Sequence, residues 1–189
     1  MSEVYNSTYF VTGGGTGGHI YPALAVADSL AETSKVYYVG NKRNMEFELA
    51  SKKGYKFLHV SVSGMPRGLN PKFFVWGIKL VKAILRSIRY IKKYKPDAVF
   101  ATGGYVSAPM IFACIITKTP YMMHDCDAMP GLVTRKLCKR AKYVSLAFEK
   151  VILDLSRFFR DVCPNTGKRN CLPAILSNPQ HLLFAKGAG

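Results

Sequence analysis

A histidine directly follows the most glycine-rich stretch of the sequence. Residues 13–22 read GGGTGGHIYP, so five glycines lie between an apolar run and His19. Glycine lets an anionic group approach backbone N–H groups closely, and those groups are unpaired where a helix begins. A neutral imidazole at this place can take a proton from an attacking hydroxyl, because its unperturbed pKa is about 6.5. The alternative is a histidine that only caps the start of a helix, and the residues alone leave both open.

A second glycine pair follows another apolar run. Gly103 and Gly104 come directly after AVFAT, just as the first loop comes after TYFVT. Strand ends in a parallel sheet meet at one edge, so we expect both loops to open helices there and to let a phosphate approach closely. The alternative is that these glycines only form tight turns.

The first loop also fits the dinucleotide fingerprint G-x-G-x-x-G at Gly13, Gly15 and Gly18. That fingerprint needs an acidic residue after the second strand to bind the ribose, whereas residues 41–43 read NKR. The two cations would suit a 2′-phosphate. An NADP-dependent enzyme is therefore a disfavoured alternative.

Apolar runs rich in β-branched and aromatic residues alternate with helix-length segments. The runs predict strands at residues 8–12, 36–40, 57–62, 98–102, 121–124 and 143–148. The segments between them predict helices at residues 21–33, 44–53, 73–95, 106–117 and 130–140. This alternation predicts an α/β fold, a Rossmann-like parallel sheet with helices on both faces. Ligands of such sheets bind beyond the carboxyl ends of the strands.

The composition is that of a globular domain with a strong positive charge. The 189 residues are 49% hydrophobic, and 27 Lys and Arg against 11 Asp and Glu give a formal charge of +16. This excess favours an anionic partner: nucleic acid, a membrane surface or a phosphorylated substrate. The opening residues MSEVYNST lack the pattern of a leader, and the apolar run at residues 105–117 is too short to span a bilayer. We therefore expect a soluble or peripheral protein made in the cytoplasm.

The cysteines show no pairing pattern. Their number, five, is odd and none stands in a C-x-x-C motif. The spacing predicts neither a disulfide framework nor a zinc site, so we expect a reducing compartment. The residues concerned are Cys114, Cys126, Cys138, Cys163 and Cys171.

Positive charge is concentrated between Leu49 and Pro96, where no acidic residue occurs. Basic residues recur there at spacings of three and four, which places them along one stripe of a helix, and the aromatic run FFVW precedes them. Such a helix suits an anionic lipid interface. We expect membrane contact through Phe73, Phe74, Trp76, Lys72, Lys79 and Lys82. A crossover helix with a solvated basic face is the alternative; a nucleic-acid groove is disfavoured because no recognisable nucleic-acid module is present.

Four motifs occur in a fixed order along the chain: GGGTGGHIYPALAVA, VSGMPRG, YKPDAVFATGGYVSAP and HDCDAMPGL. Together they resemble the amino-terminal half of the MurG family over residues 8–155. The resemblance implies a GT-B glycosyltransferase that transfers N-acetylglucosamine, with inversion, from UDP-N-acetylglucosamine to the undecaprenyl-diphosphate-linked acceptor lipid I at the cytoplasmic face of the cell membrane. It implies no cofactor and no metal. We expect residues 1–158 to form the acceptor and membrane-binding domain, and residues 159–189 a linker or the start of a donor-nucleotide domain.

The resemblance also implies roles for individual residues. His19 is expected to be the base that accepts the proton of the acceptor hydroxyl. The substrate site is expected to include Thr16, Gly17, Gly18, Gly103, Gly104, Tyr105, Ser107, Asp127 and Arg169. Of these, Asp127 stands in HDCD where the family has H-E-Q-N, so a carboxylate replaces an amide that would contact the donor sugar. Val133 and Thr134 stand where the family has T-N, and Arg169 ends a shortened form of the family's G-N-P-V-R turn.

The chain ends near the point where the family's donor domain would begin. We expect little catalysis by this chain alone, because holding both substrates supplies much of the rate. The alternative is a non-catalytic acceptor-binding subunit of a split glycosyltransferase, working with a separate donor-domain partner chain.

Overall fold

A computed structural model describes residues 7–66, 71–127, 129, 131–147 and 174–176. The strands are β1 (Thr8–Thr12), β2 (Lys35–Gly40), β3 (Lys56–His59), β4 (Ala98–Ala101), β5 (Tyr121–Asp125), β6 (Tyr143–Leu146) and β7 (Ala174–Leu176). The helices are α1 (Gly17–Ala31), α2 (Met45–Lys52), α3 (Pro71–Tyr94), α4 (Gly104–Thr117) and α5 (Leu132–Leu137). A single 3-10 turn, Cys138–Arg140, follows α5.

The strands form one sheet in the order β3-β2-β1-β4-β5-β6-β7, and every strand pair is parallel. The chain runs outward from β1 to β3 and then returns to place β4 on the other side of β1. Loops that leave β1 and β4 therefore diverge at a switch point, where open α/β sheets bind ligands. The predicted Rossmann-like parallel sheet is confirmed. The strand β7 was not predicted and lies within residues 159–189, whose assignment to a separate segment stays a prediction.

Different helices cover the two faces of the sheet. Phe10, Tyr37 and Val39 belong to a buried cluster that includes residues of α3 and α4. Val11 and Tyr38, at the alternate strand positions, belong to a second cluster with the buried face of α1. Successive strand side chains point to opposite faces, so each of these short strands contributes to both cores.

Three helices begin earlier than apolar periodicity predicted: α3 starts at Pro71 rather than residue 73, and the other two start at glycines. The helix α1 starts at Gly17 rather than residue 21, and α4 starts at Gly104 rather than residue 106. Apolar periodicity does not mark these first turns, because glycines occupy their first positions. Pro22 lies inside α1 and has no N–H to donate, so it leaves the carbonyl of Gly18 without its usual helical donor.

Candidate active site

The two glycine loops lie side by side because β1 and β4 are neighbours. Thr12 pairs with Ala101 at the ends of these strands, and the N–H of Thr102 donates to the carbonyl of Thr12 at 3.0 Å. The hydroxyl of Thr102 donates to the carbonyl of His19 at 2.5 Å. Residues at the end of β4 thus fix the start of α1.

Both helix starts are open. The N-cap residues Thr16 and Gly103 make no side-chain capping hydrogen bond, and the first turns of α1 and α4 contain no acidic residue. Thr16 and Gly18 are exposed, and Gly17 is half-buried. Uncapped N–H groups at two adjacent helix starts form an arrangement that favours a bound anion.

The His19 ring lies between the two loops. Its side chain is 14% exposed, and its Nε2 lies 3.8 Å from a carboxylate oxygen of Asp127. Its Nδ1 lies 3.3 Å from the sulfur of Cys126, and that thiol donates to the carbonyl of Gly18 at 3.0 Å. Pro22 had left this carbonyl without a helical donor. The thiol can therefore accept from Nδ1–H while it donates to Gly18, which leaves Nε2 as the unprotonated nitrogen.

The loop after β5 presents Cys126 and Asp127 to His19. The buried carboxylate of Asp125 accepts hydrogen bonds from the N–H groups of Asp127 at 3.0 Å and Gly131 at 3.2 Å. Asp125 therefore holds the loop in shape. Burial raises the pKa of the Cys126 thiol, and the charges of Asp127 and Asp125 raise it further, so the thiol stays neutral.

Ser107 and Tyr105 occupy different environments at the start of α4. Ser107 is fully buried, and its hydroxyl donates to the carbonyl of Gly104 at 2.9 Å. The Tyr105 ring lies over Gly15, and its hydroxyl accepts from the side-chain amide of Asn44 at 3.2 Å. Their roles as substrate contacts stay predictions, as do those of the glycines, Thr16 and Asp127, and Arg169 lies outside the described residues.

Glu46 is a site residue that the sequence did not reveal. It is fully buried beside the first loop, and its carboxylate accepts from the N–H groups of Gly15 at 3.5 Å and Asn41 at 3.2 Å. Tyr38 donates to the carbonyl of Gly13 at 2.7 Å, and burial together with the charge of Glu46 raises the pKa of its phenol. The available signal was position: α2 begins after β2 at the same sheet edge as the loops.

The surface of α3 combines exposed apolar and basic side chains. Phe74 is 77% exposed, and the exposed apolar residues Ile78, Val81 and Leu85 continue its row. The ring of Phe73 lies 5.5 Å from that of Trp76, whose indole N–H donates to the carbonyl of Ser63 at 2.9 Å. Lys72, Lys79 and Lys82 are exposed on the same helix. The predicted contact residues thus include two that are half-buried, Phe73 and Trp76, while their role stays a prediction.

A cavity of about 370 Å³ lies at the start of α3, lined by Trp76, Lys72 and Lys79 among others. Within the described ranges, no helix has the length and apolar character needed to cross a membrane. Across the same ranges, no cluster of three or more His, Cys, Asp or Glu residues is arranged to hold a metal ion.

His124 is expected to make folding stability depend on pH. Burial lowers the pKa of His124 and outweighs two effects that raise it, the negative charge of Asp125 and a backbone hydrogen bond at Ser145; the charge of His19 adds a smaller lowering contribution. The unfolded chain then binds more protons than the folded chain as pH falls through about 6.5. We expect the free energy of unfolding to be highest above pH 7 and to decrease between pH 7 and pH 5. His124→Asn is expected to reduce this dependence on pH. Urea titrations at several pH values measure it, and an unchanged slope in the variant would contradict it.

The sheet order and the paired loops at its switch point define a Rossmann-like domain of the GT-B kind. The crystal structure of Acinetobacter baumannii MurG superimposes with a TM-score of 0.67 at 30% identity, over 76% of this chain and 42% of that one. A Staphylococcus aureus MnaA–UDP structure, at 13% identity and a TM-score of 0.60, shares the fold over 88% of this chain and 44% of its own.

Residues 9–146 match the model of the glycosyltransferase family 28 N-terminal domain, and the chain belongs to this family. A Christiangramia forsetii relative, named UDP-N-acetylglucosamine--N-acetylmuramyl-(pentapeptide) pyrophosphoryl-undecaprenol N-acetylglucosamine transferase, is 37% identical over 144 residues, which cover 75% of this chain and 39% of the relative. A Lactococcus lactis relative of the same name is 36% identical over 141 residues, or 73% of this chain and 40% of its own. The chain thus spans about two fifths of the length of these relatives. The resemblance to the MurG family is confirmed.

Proposed function

We propose that this chain is the acceptor-binding domain of an N-acetylglucosaminyltransferase of peptidoglycan synthesis. The acceptor is lipid I, the undecaprenyl-diphosphate-linked N-acetylmuramyl-pentapeptide, and the donor is UDP-N-acetylglucosamine, held by a donor domain. The observation that carries the proposal is the pair of uncapped helix starts at Thr16 and Gly103 with His19 between them. The names of the relatives supply the identity of the substrates.

His19 is proposed to act as the base. Its Nε2 lies 3.8 Å from Asp127, beyond hydrogen-bond length, and as the unprotonated nitrogen it can accept a hydrogen bond from the acceptor hydroxyl. The hydroxyl oxygen attacks the anomeric carbon of the donor sugar, the bond from that carbon to UDP breaks, and the proton passes to Nε2. The carboxylate of Asp127 then stabilises the imidazolium that forms, as a neighbouring negative charge favours the protonated form.

The diphosphate of the acceptor is proposed to lie against the two helix starts. Purified chain is expected to sediment with vesicles of anionic phospholipid, and more strongly when the vesicles contain a polyprenyl diphosphate. Polyprenyl monophosphate is the control, since it shares the tail and lacks the second phosphate. Binding is expected to weaken in high salt, because charge attraction contributes to it. Equal binding with and without the diphosphate would contradict the proposal.

The exposed face of α3 is proposed to attach the protein peripherally to the cytoplasmic face of the membrane. Phe74 and Ile78 present apolar groups next to the exposed Lys79 and Lys82. Such a helix lies in the interface with its apolar groups in the acyl boundary and its cations at the headgroups. Phe73 and Trp76 then shape the edge of the face, because Trp76 is held by Ser63.

Changes on this face are expected to weaken membrane binding. In a double variant, Phe74→Ser removes an apolar contact that contributes up to about 2 kcal/mol to membrane binding. Lys79→Glu removes an attraction to anionic lipid of about 1 kcal/mol and replaces it with a repulsion of similar size. We expect binding to vesicles of anionic phospholipid to fall at least about thirtyfold, measured by sedimentation. Lys52→Glu, an exposed lysine on α2, is the matched control for the charge change and is expected to have a much smaller effect. Equal losses of binding in the two variants would favour the alternative, in which α3 is a crossover helix with a solvated basic face.

A further inference from the structure

The carboxylate of Glu46 is fully buried beside the proposed anion site, and no cation among the described residues is paired with it. A buried carboxylate is costly unless its oxygens accept hydrogen bonds. Both oxygens of Glu46 do so, from N–H groups of Gly15, Asn41 and Asn44. These donors come from the first glycine loop, from the end of β2 and from the start of α2.

One side of the carboxylate fixes the first glycine loop. Its Oε2 accepts from the N–H of Gly15, which has a φ of +91°, and Oε1 accepts from the N–H of Asn41 at the end of β2. The carboxylate also fills the space beside Gly14, where an added Cβ would lie 2.7 Å from Oε1. The first glycine loop thus packs closely against this side chain and is hydrogen-bonded to it.

The other side reaches the second glycine loop through Asn44. The side-chain amide of Asn44 donates to Oε1 of Glu46 at 3.1 Å and to the hydroxyl of Tyr105 at 3.2 Å. Tyr105 belongs to the first turn of α4, and its ring lies over Gly15. Glu46, Asn44 and Tyr105 therefore form a hydrogen-bonded bridge between the starts of α1 and α4.

We propose that Glu46 is a positioning residue that sets the spacing of the two glycine loops through Asn44 and Tyr105. This inference rests on the proposed binding of a diphosphate by those loops. Charge and position have opposite consequences here. A negative charge near the site opposes anion binding, so its removal alone would strengthen binding. Loss of the acceptor for Gly15, Asn41 or Asn44 would let the loops move apart and weaken it.

Glu46→Gln shows which of these two effects dominates, because they change the affinity in opposite directions. Glutamine keeps the shape of the side chain, removes the charge and replaces one acceptor oxygen with an NH₂ group that cannot accept from an N–H. We expect the affinity of the whole chain for inorganic pyrophosphate to fall about tenfold or more, the loss typical of one hydrogen bond to a charged group. Glu48→Gln is the matched control, since Glu48 lies in the same first turn of α2, is exposed and undergoes the same charge change.

Pyrophosphate titrations and amide hydrogen exchange of residues 13–16 and 103–105 test the bridge together. The expected result is weaker binding and faster exchange in both loops for Glu46→Gln, with the control within about twofold of the wild type in affinity. Unchanged or tighter binding by Glu46→Gln, or faster exchange in the first loop alone, would overturn the inference. A wild-type chain that does not bind pyrophosphate would count against the proposed function, and the exchange data would still decide the bridge.

Tyr105→Phe provides a second route if Glu46→Gln does not fold. It removes only the phenolic oxygen that accepts from Asn44, and leaves the contacts of Glu46 with the first loop in place. Faster exchange confined to residues 103–105 is the expected result. Exchange at the wild-type rate in both loops would overturn the bridge.

Discussion

Alanine in place of Gly104 is expected to lower the free energy of unfolding by about 2–5 kcal/mol and to abolish diphosphate binding. Gly104 has a φ of +71°, a region that side chains with a Cβ adopt at a cost. An added Cβ would also overlap the carbonyl oxygen of Gly14 and lie 3.1 Å from the His19 ring. Backbone on one side and a packed ring on the other leave little room to adjust, so the two loops would separate.

Gly54→Ala isolates the conformational part of this effect. Gly54 has a φ of +80°, and a Cβ there would meet nothing within 4 Å. Its substitution is expected to cost about 1 kcal/mol. Urea unfolding of both variants measures the difference, which reports the steric contact between the loops. Equal losses in Gly104→Ala and Gly54→Ala would show that the loops do not touch as described.

The sheet and the juxtaposed loops were predictable from the sequence because they depend on local patterns. Runs such as TYFVT and AVFAT have strand composition, and the glycines that follow them mark the turns into helices. Parallel strands end at one edge, so the loops after β1 and β4 were expected together. The structure adds that β1 and β4 are direct neighbours.

The supports of the site were not predictable in the same way, because they depend on contacts across the fold. Glu46 is an ordinary acidic residue in the first turn of a helix, and only its burial against Gly15 gives it a role. The effect of Pro22 is similar. This proline inside α1 frees the carbonyl of Gly18 to accept a hydrogen bond from the thiol of Cys126. Because Cys126 is distant in sequence, that contact could not be predicted from local patterns.

The surface of α3 shows a third kind of limit. Periodicity placed basic and apolar residues on neighbouring stripes, and it did not reveal which face packs on α4. The buried positions are Ala83, Ser87 and Ile91, so the larger residues Phe74 and Ile78 remain exposed. Two of the three buried residues, Ala83 and Ser87, are small, while the apolar row of Phe74 and Ile78 lies on another face of the helix. The proposed membrane face therefore follows from what α3 does not bury.

His19→Ala is expected to reduce turnover by a factor of about 100 to 10,000, the usual contribution of a general base. Turnover is to be measured in a reconstituted enzyme in which this chain is joined by a UDP-N-acetylglucosamine-binding domain. Diphosphate-lipid binding is expected to change less than about threefold, because the backbone N–H groups at the two helix starts do not depend on the imidazole. His59→Ala is the control, since His59 lies on β3 and belongs to neither loop.

The split between turnover and binding decides the role of His19. Its ring lies 3.4 Å and 3.1 Å from the positions that a Cβ on Gly103 or Gly104 would occupy, so a loss of shape alone would weaken binding and turnover together. His19→Gln tests this, because glutamine restores much of the lost volume but cannot accept a proton near neutral pH. Low turnover with near-normal binding in both variants identifies a base, since only proton transfer is then missing. A parallel loss of binding and turnover in His19→Ala, with recovery of both in His19→Gln, would show that His19 is a packing residue between the loops. His19 would then not be the base that accepts the proton of the acceptor hydroxyl.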